Sequence, residues 1–270
     1  MTNRIEKKFQ ELKAEKKKAF IAFLTAGDPN LKTTTQLIPA LEKAGVDILE
    51  LGVPFSDPMA DGPVIQKSSE RALAAGTTLK KILAVVKEAR KKSSLPILLM
   101  GYYNPILTFG VEKFFTAARQ AGVDGALIVD LPPEEGELAR QAAQKEGVSL
   151  IFLLAPTSND DRIRRVTSKG SGFIYYVSLT GITGASLSTQ LDKQKALKNL
   201  KRNSKLPVCV GFGIKKPEQA KAVAKLADGV VVGSALVQEL EKNKGPKGIK
   251  AAVNLAGKMV RAVHGLRVRA

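Results

Sequence analysis

Glu50 is the one acid inside the apolar stretch Ile48–Val53. In an extended chain successive side chains alternate in direction, so if Leu49 and Leu51 face outward to covering helices, Glu50 faces the interior. Burial there raises a carboxyl group above its reference pKa of ~4.3 and lets it both give and take a proton. Two readings stay open: an acid–base group, or a strand-end carboxylate in a structural ion pair.

The stretch that follows, Pro54-Phe55-Ser56-Asp57-Pro58-Met59-Ala60-Asp61-Gly62-Pro63, is a long loop stiffened by proline and glycine. Asp61 can swing back over the site toward Glu50, which would set two carboxylates against one substrate, with the loop as a lid. As simple turn formers, Asp57 and Asp61 would do nothing of the kind.

Three glycine-bearing loops lie in the last part of the chain: Thr180-Gly181-Ile182-Thr183-Gly184, Gly211-Phe212-Gly213-Ile214, and Gly233-Ser234-Ala235, which opens a helix. Exposed backbone N–H groups at a helix start favour an anion, and glycine lets a phosphate approach closely.

Other chemistries lack their residues. His264 is the only histidine and Cys209 the only cysteine, so a histidine-based metal site is not expected. Cys209 lies in an apolar strand and reads as core. The strand Phe173-Ile174-Tyr175-Tyr176-Val177 carries no lysine for a Schiff base, and neither a nucleophile elbow nor a dinucleotide fingerprint occurs. Carboxylate acid–base chemistry on a phosphorylated substrate with an apolar portion remains.

These groups need a scaffold. Eight short runs rich in Val, Ile and Leu recur: Ala19–Thr25, Ile48–Val53, Pro96–Met100, Gly125–Val129, Leu150–Leu154, Phe173–Val177, Pro207–Val210 and Gly229–Val232. They show little alternation, as strands buried on both faces should. Amphipathic segments separate them; in one, Leu79, Ile82, Leu83 and Val86 form a face opposite Lys80, Lys81 and Lys87. Helix-ending glycines recur in Ala44-Gly45-Val46-Asp47, Ala121-Gly122-Val123-Asp124 and Glu146-Gly147-Val148. The pattern predicts a single-domain (β/α)8 barrel over residues 1–270, with an open doubly wound sheet as the alternative. Ile5, Phe9 and Leu12 predict an extra N-terminal helix that plugs the barrel. In such a barrel the site lies at the C-terminal strand ends, and phosphate commonly binds after strands seven and eight.

Composition agrees with one such domain. Of 270 residues, 44% are hydrophobic, enough for a large core, and with 5% aromatics and no Trp that core is aliphatic. No apolar stretch approaches the roughly 20 residues needed to cross a membrane. The first residues mix Arg4, Glu6, Lys7 and Glu11, unlike a secretion signal, and the lone cysteine suits a cytoplasmic protein. The net charge of +18 raises the question of nucleic acid. No zinc-knuckle spacing or aromatic-interleaved basic patch accompanies it, however, and after Glu241 the basic residues form a solvated tail.

The stretch Glu50-Leu-Gly-Val-Pro-Phe-Ser-Asp-Pro-Met-Ala-Asp-Gly-Pro-Val-Ile-Gln66 resembles the signature of the tryptophan synthase α-subunit family. So do Phe23-Leu-Thr-Ala-Gly-Asp-Pro29, Tyr103-Asn104-Pro105, Asp130-Leu-Pro-Pro-Glu-Glu135, Ser178-Leu-Thr-Gly-Ile-Thr-Gly184 and Gly211-Phe-Gly-Ile214, in the family's order over nearly the whole chain. The long loop motif is specific; the glycine loops are shared with many phosphate-binding barrels. Met59 stands where the motif more often has leucine, a volume-conserving change.

The resemblance implies a retro-aldol lyase that splits indole-3-glycerol phosphate into indole and glyceraldehyde 3-phosphate. It implies that Asp61 holds the indole N–H and that Glu50 moves the protons. Phe23, Leu153 and Phe212 would line an indole pocket, with Tyr175 at the reacting centre. Gly184, Gly213, Gly233 and Ser234 would hold the phosphate, and the Thr183 loop would close with the Asp61 loop. It further implies no cofactor on this chain and an αββα complex with a pyridoxal-phosphate β subunit. That partner would dock on Asp57, Pro58, Asn104 and the Asp130–Pro133 segment.

Overall fold

The computed structural model describes residues 3–177, 187–211 and 213–265. Helix α1 (Arg4–Ala14) precedes β1 (Ala19–Thr25), α2 (Leu31–Lys43) and β2 (Ile48–Gly52). Helices α3 (Pro63–Ala74) and α4 (Leu79–Ala89) lead to β3 (Ile97–Gly101), and α5 (Tyr103–Phe109) and α6 (Val111–Ala121) to β4 (Gly125–Ile128). Then come α7 (Glu137–Glu146), β5 (Ser149–Leu154), α8 (Asp160–Lys169) and β6 (Ile174–Val177). Helix α9 (Leu187–Asn203), β7 (Val208–Gly211), α10 (Pro217–Ala224), β8 (Gly229–Val232), α11 (Ser234–Lys242) and α12 (Pro246–His264) complete the order. All eight strands run parallel and close into a barrel in sequence order, β8 pairing back to β1.

The predicted runs Ala19–Thr25 and Gly229–Val232 match β1 and β8, and the other six differ by one residue at one or both ends. Pro96 and Pro207 stand just before β3 and β7, because proline has no N–H for the ladder. Their carbonyls still serve it, accepting from Leu49 and Ile174 at 2.8 Å each. The expected alternation of faces holds in β2. Leu49 and Leu51 belong to the layer between barrel and helices, whereas Ile48 belongs to the barrel interior with Ile21, Leu98, Leu127, Ile151 and Cys209. Cys209 is buried core, as its apolar strand predicts, and burial pushes its thiol well above the ordinary range.

Ile5, Phe9 and Leu12 of α1 close the N-terminal end of this interior. Gly125 makes room for the plug, since a Cβ there would stand 2.8 Å from Ile5 Cδ1. Asn3 fixes the helix start. Its Oδ1 caps the Ile5 N–H at 2.9 Å, and its Nδ2 donates to the carbonyls of Asp124 and Gly147. Gly122 and Gly147 end α6 and α7 in the left-handed conformation that side chains resist.

One device recurs in four of the eight strand pairs, β1–β2, β3–β4, β5–β6 and β7–β8. Asp47, just before β2, accepts the N–H of Phe20 in β1 at 2.7 Å. Asp124, just before β4, accepts that of Ile97 in β3 at 2.9 Å, and Asp228, just before β8, that of Val208 in β7 at 3.1 Å. Ser171 does the same for Leu150 of β5 at 2.8 Å. Each clasp gives a strand N–H at the bottom of the barrel its hydrogen-bond acceptor. The strand ends at the opposite rim are thereby left to carry other work. No helix among the described residues is long and apolar enough to cross a membrane.

Candidate active site

A cavity of about 390 Å³ opens at the C-terminal ends of the strands. Phe23, Met100, Val129, Leu153, Tyr175 and Val231 give it apolar walls, and the segment Ala60–Ile65 forms one side. Gly213, Gly233 and Ser234 border it at the ends of β7 and β8.

Glu50 lies at the base of this region, in register between Phe23 of β1 and Leu98 of β3. It is 1% exposed, and neither carboxyl oxygen has a hydrogen-bond partner among the described residues. A structural ion pair would require a cation beside it, and the described residues supply none. Burial, and after it the charge of Asp61, push the Glu50 carboxyl up to about 8. At neutral pH it is therefore largely protonated and able to donate. An unpaired buried carboxyl group costs stability and calls for an explanation.

Asp61 comes from the loop between β2 and α3 and lines the cavity. Burial raises its carboxyl, and a hydrogen bond from Tyr102 opposes that rise. The Tyr102 hydroxyl donates to Asp61 Oδ2 at 3.1 Å and accepts the Ala60 N–H at 3.0 Å. Gln66 holds the loop from α3 by donating to the Asp61 carbonyl at 2.9 Å. Helix α3 is itself pinned. Ser68 and Thr25 share a 2.5 Å hydrogen bond, while Arg71 grips both oxygens of Asp28 at 2.8 Å and reaches Glu241 of α11 at 2.9 Å. Asp57 takes no part in the cavity; it is exposed and bonds to the Ser56 hydroxyl.

Glycines shape the walls by what they lack. A Cβ on Gly52 would stand 2.7 Å from Phe23 Cζ, and one on Gly233 2.9 Å from Phe23 Cδ1. The Phe23 ring is thus boxed between two glycines. Gly211 was expected among the anion-binding loop glycines, but it is a buried residue of β7. A Cβ there would meet the Tyr175 hydroxyl at 2.2 Å, so its smallness serves the tyrosine. Burial foremost, then the Glu50 charge, raises the Tyr175 phenol well above its ordinary value.

Of the expected site residues, Phe23, Asp61, Leu153, Tyr175, Gly213, Gly233 and Ser234 line one cavity, with Glu50 buried beside them. Thr183, Gly184 and Phe212, and with them the expected closure of the Thr183 loop, lie outside the described residues. Tyr102, Lys215 and Gln238 were not anticipated. The position of Tyr102 one residue past β3, on the rim that carries chemistry in barrels, was the available signal. Among the described residues no three His, Cys, Asp or Glu side chains gather as metal ligands.

A family model described as tryptophan synthase alpha chain matches residues 9–264. The tryptophan synthase alpha chain of Geotalea daltonii is 59% identical over 242 residues, covering 90% of this chain and 92% of that protein. Its counterpart from Geobacter sulfurreducens is 55% identical over 240 residues, covering 89% and 91%. The crystal structure of tryptophan synthase subunit alpha from Legionella pneumophila superposes with a TM-score of 0.91 at 42% identity, covering 98% of this chain and all of that one.

Proposed function

The chain belongs to the tryptophan synthase alpha chain family and is a lyase of tryptophan biosynthesis; we propose that it splits indole-3-glycerol phosphate by means of Glu50 and Asp61. The observation that carries this reading is the buried Glu50, protonated and without a hydrogen-bond partner among the described residues, beside a cavity lined by the carboxylate of Asp61.

Asp61 accepts the indole N–H and stabilises the positive charge that develops on the ring. Glu50 delivers its proton to the ring carbon that bears the glycerol chain. The resulting carboxylate then takes the proton of the adjacent chain hydroxyl. The carbon–carbon bond breaks, its electrons return to the ring, and an aldehyde forms. Glu50 ends as it began, so one group serves as acid and then base. General acid–base catalysis of this kind contributes ~10²–10⁴-fold. Phe23, Leu153 and Tyr175 fit the flat aromatic portion. The backbone of Gly213 and Gly233–Ser234, at the start of α11, suits the phosphate, since helix N-termini attract anions.

No cofactor is assigned to this chain, which we read as one cytoplasmic domain. A pyridoxal-phosphate β subunit, in an αββα assembly, would dock on Asp57, Pro58, Asn104 and the Asp130–Pro133 segment. Support comes from Met59, 92% exposed, and Leu107, 55% exposed, on the loop after β2 and the helix after β3. Docking there would bear directly on the loop that carries Asp61. Mixing the purified chain with indole-3-glycerol phosphate tests the reaction: indole and glyceraldehyde 3-phosphate should appear in equal amounts. Consumption of substrate without either product would refute it.

A further inference from the structure

We propose that Lys215 is the counter-ion of the substrate's phosphate, a binding role that rests on the reading above and extends it. Among the described residues lining the cavity, two carry charge: Asp61 and Lys215. Lys215 follows β7 by four residues, two beyond Gly213, and lines the same cavity as Gly233 and Ser234. The cavity therefore takes a carboxylate from the loop that leads into α3 and a lysine from the segment that follows Gly213. A substrate with an N–H donor at one end and a phosphate dianion at the other matches that polarity.

The backbone around Lys215 narrows what it can do. Gln219 Oε1 accepts the N–H groups of both Lys215 and Lys216, at 2.8 and 3.0 Å. Those two donors are spent on the α10 start, so Lys215 itself can meet an anion only through its side chain. The Lys215 ammonium forms no salt bridge among the described residues, and its side chain is exposed at the cavity edge. An ammonium is a flexible point charge that reaches a phosphate without the fixed geometry a guanidinium needs. Backbone N–H groups and a helix terminus offer only partial charges, and a full cation adds a charge-assisted hydrogen bond to them. The phosphate is remote from the bond that breaks. Contact with it stabilises bound substrate and transition state alike, and so acts on KM and not on kcat.

Calorimetric titration of the full chain with glycerol 3-phosphate, and separately with the phosphate-free alcohol 3-indolepropanol, tests this. Lys215→Gln should weaken glycerol 3-phosphate about tenfold, the size expected for a charge-assisted hydrogen bond at a solvent-exposed site. Lys215→Arg, which keeps the charge, should recover most of that loss, and neither variant should change the affinity for the alcohol. In turnover, Lys215→Gln should raise KM by a similar factor and leave kcat within about twofold. Equal glycerol 3-phosphate affinity in wild type and Lys215→Gln would overturn the role of Lys215 while leaving the lyase reading intact. Equal loss of the phosphate-free alcohol would overturn it too, by showing a general disturbance of the cavity. A wild-type chain that binds the alcohol but not glycerol 3-phosphate would overturn the phosphate reading of this end of the site altogether.

Discussion

Tyr102 donates to the Asp61 carboxylate at 3.1 Å and accepts the neighbouring Ala60 N–H at 3.0 Å, so one hydroxyl fixes both the side chain and the backbone of the loop. The Phe55 ring, 5.2 Å away between centroids, packs against the same tyrosine from the start of that loop. The second carboxylate is thus held by the end of the neighbouring strand, and its own loop does not have to be rigid.

Removing that hydroxyl should be felt in rate and in pH dependence. Tyr102→Phe should lower kcat about tenfold, as a hydrogen bond to a charged group is worth ~1.5–3 kcal/mol. Burial already raises Asp61 and Tyr102 opposes it, so the variant should also move the Asp61 titration upward. The acid limb of the pH–rate profile would shift to higher pH. A profile superimposable on the wild type would show that Tyr102 does not position Asp61.

Glu50 should make stability fall with pH. Its carboxyl is raised from the ordinary range to about 8, so the folded chain keeps a proton that the unfolded chain releases near 4.5. The contribution is full below about 4.5 and is lost as pH rises toward about 8. In urea unfolding, wild type should lose stability relative to Glu50→Gln across that window, by on the order of a few kcal/mol, and then run parallel. A constant difference from pH 5 to 9 would contradict the burial of an unpaired carboxyl group.

The clasps at the barrel bottom should differ in worth. Asp124 accepts from Ile97 N–H and also pairs with Arg90 and Arg4, at 2.8 Å each, while 2% exposed. Asp47 accepts from Phe20 N–H and meets His264 Nε2 at 2.8 Å. Asp124→Ala strands the largely buried Arg90 and should cost about 3 kcal/mol or more. Asp47→Ala, which strands a backbone donor and no buried arginine, should cost about 1–2 kcal/mol. Urea denaturation decides the order; equal costs would mean that the cation adds nothing.

Glycine substitutions should separate function from stability. Gly52→Ala and Gly211→Ala push Phe23 and Tyr175 into the cavity and should raise KM about tenfold, given that overpacking costs ~1–3 kcal/mol. Gly147, at φ 66° and with open space beside it, is far from the cavity. Gly147→Ala should cost about 1 kcal/mol of stability without touching KM. Steady-state kinetics beside thermal melts would expose the reverse pattern if the wall glycines were merely structural.

Much of this architecture was legible because strands buried on both faces read as unbroken Val, Ile and Leu runs. Glu50 stood out as the one acid in such a run. The Ile5, Phe9 and Leu12 spacing announced the plug for the same reason. Contacts between distant segments left no mark of that kind. Tyr102 meets Asp61 across 41 positions, and Arg71 meets Asp28 across 43. Lys215 was one lysine among many in a chain of net charge +18, and only the closed barrel turns it toward the cavity. Gly211 read as a loop glycine because a missing side chain looks alike in a sequence whether it admits a phosphate or a neighbouring ring.

The central claim is that Glu50 moves the protons while Asp61 holds the ring. Indole release from indole-3-glycerol phosphate at saturating substrate, measured for wild type, Glu50→Gln and Asp61→Asn with binding checked by calorimetry, addresses it directly. Glu50→Gln should bind substrate and lose ~10²–10⁴-fold or more in kcat, because the amide keeps the shape and lacks the proton. Asp61→Asn should lose rate as well, with any residual activity no longer following the acid limb. Near-normal indole release by Glu50→Gln, with the fold intact, would contradict the account.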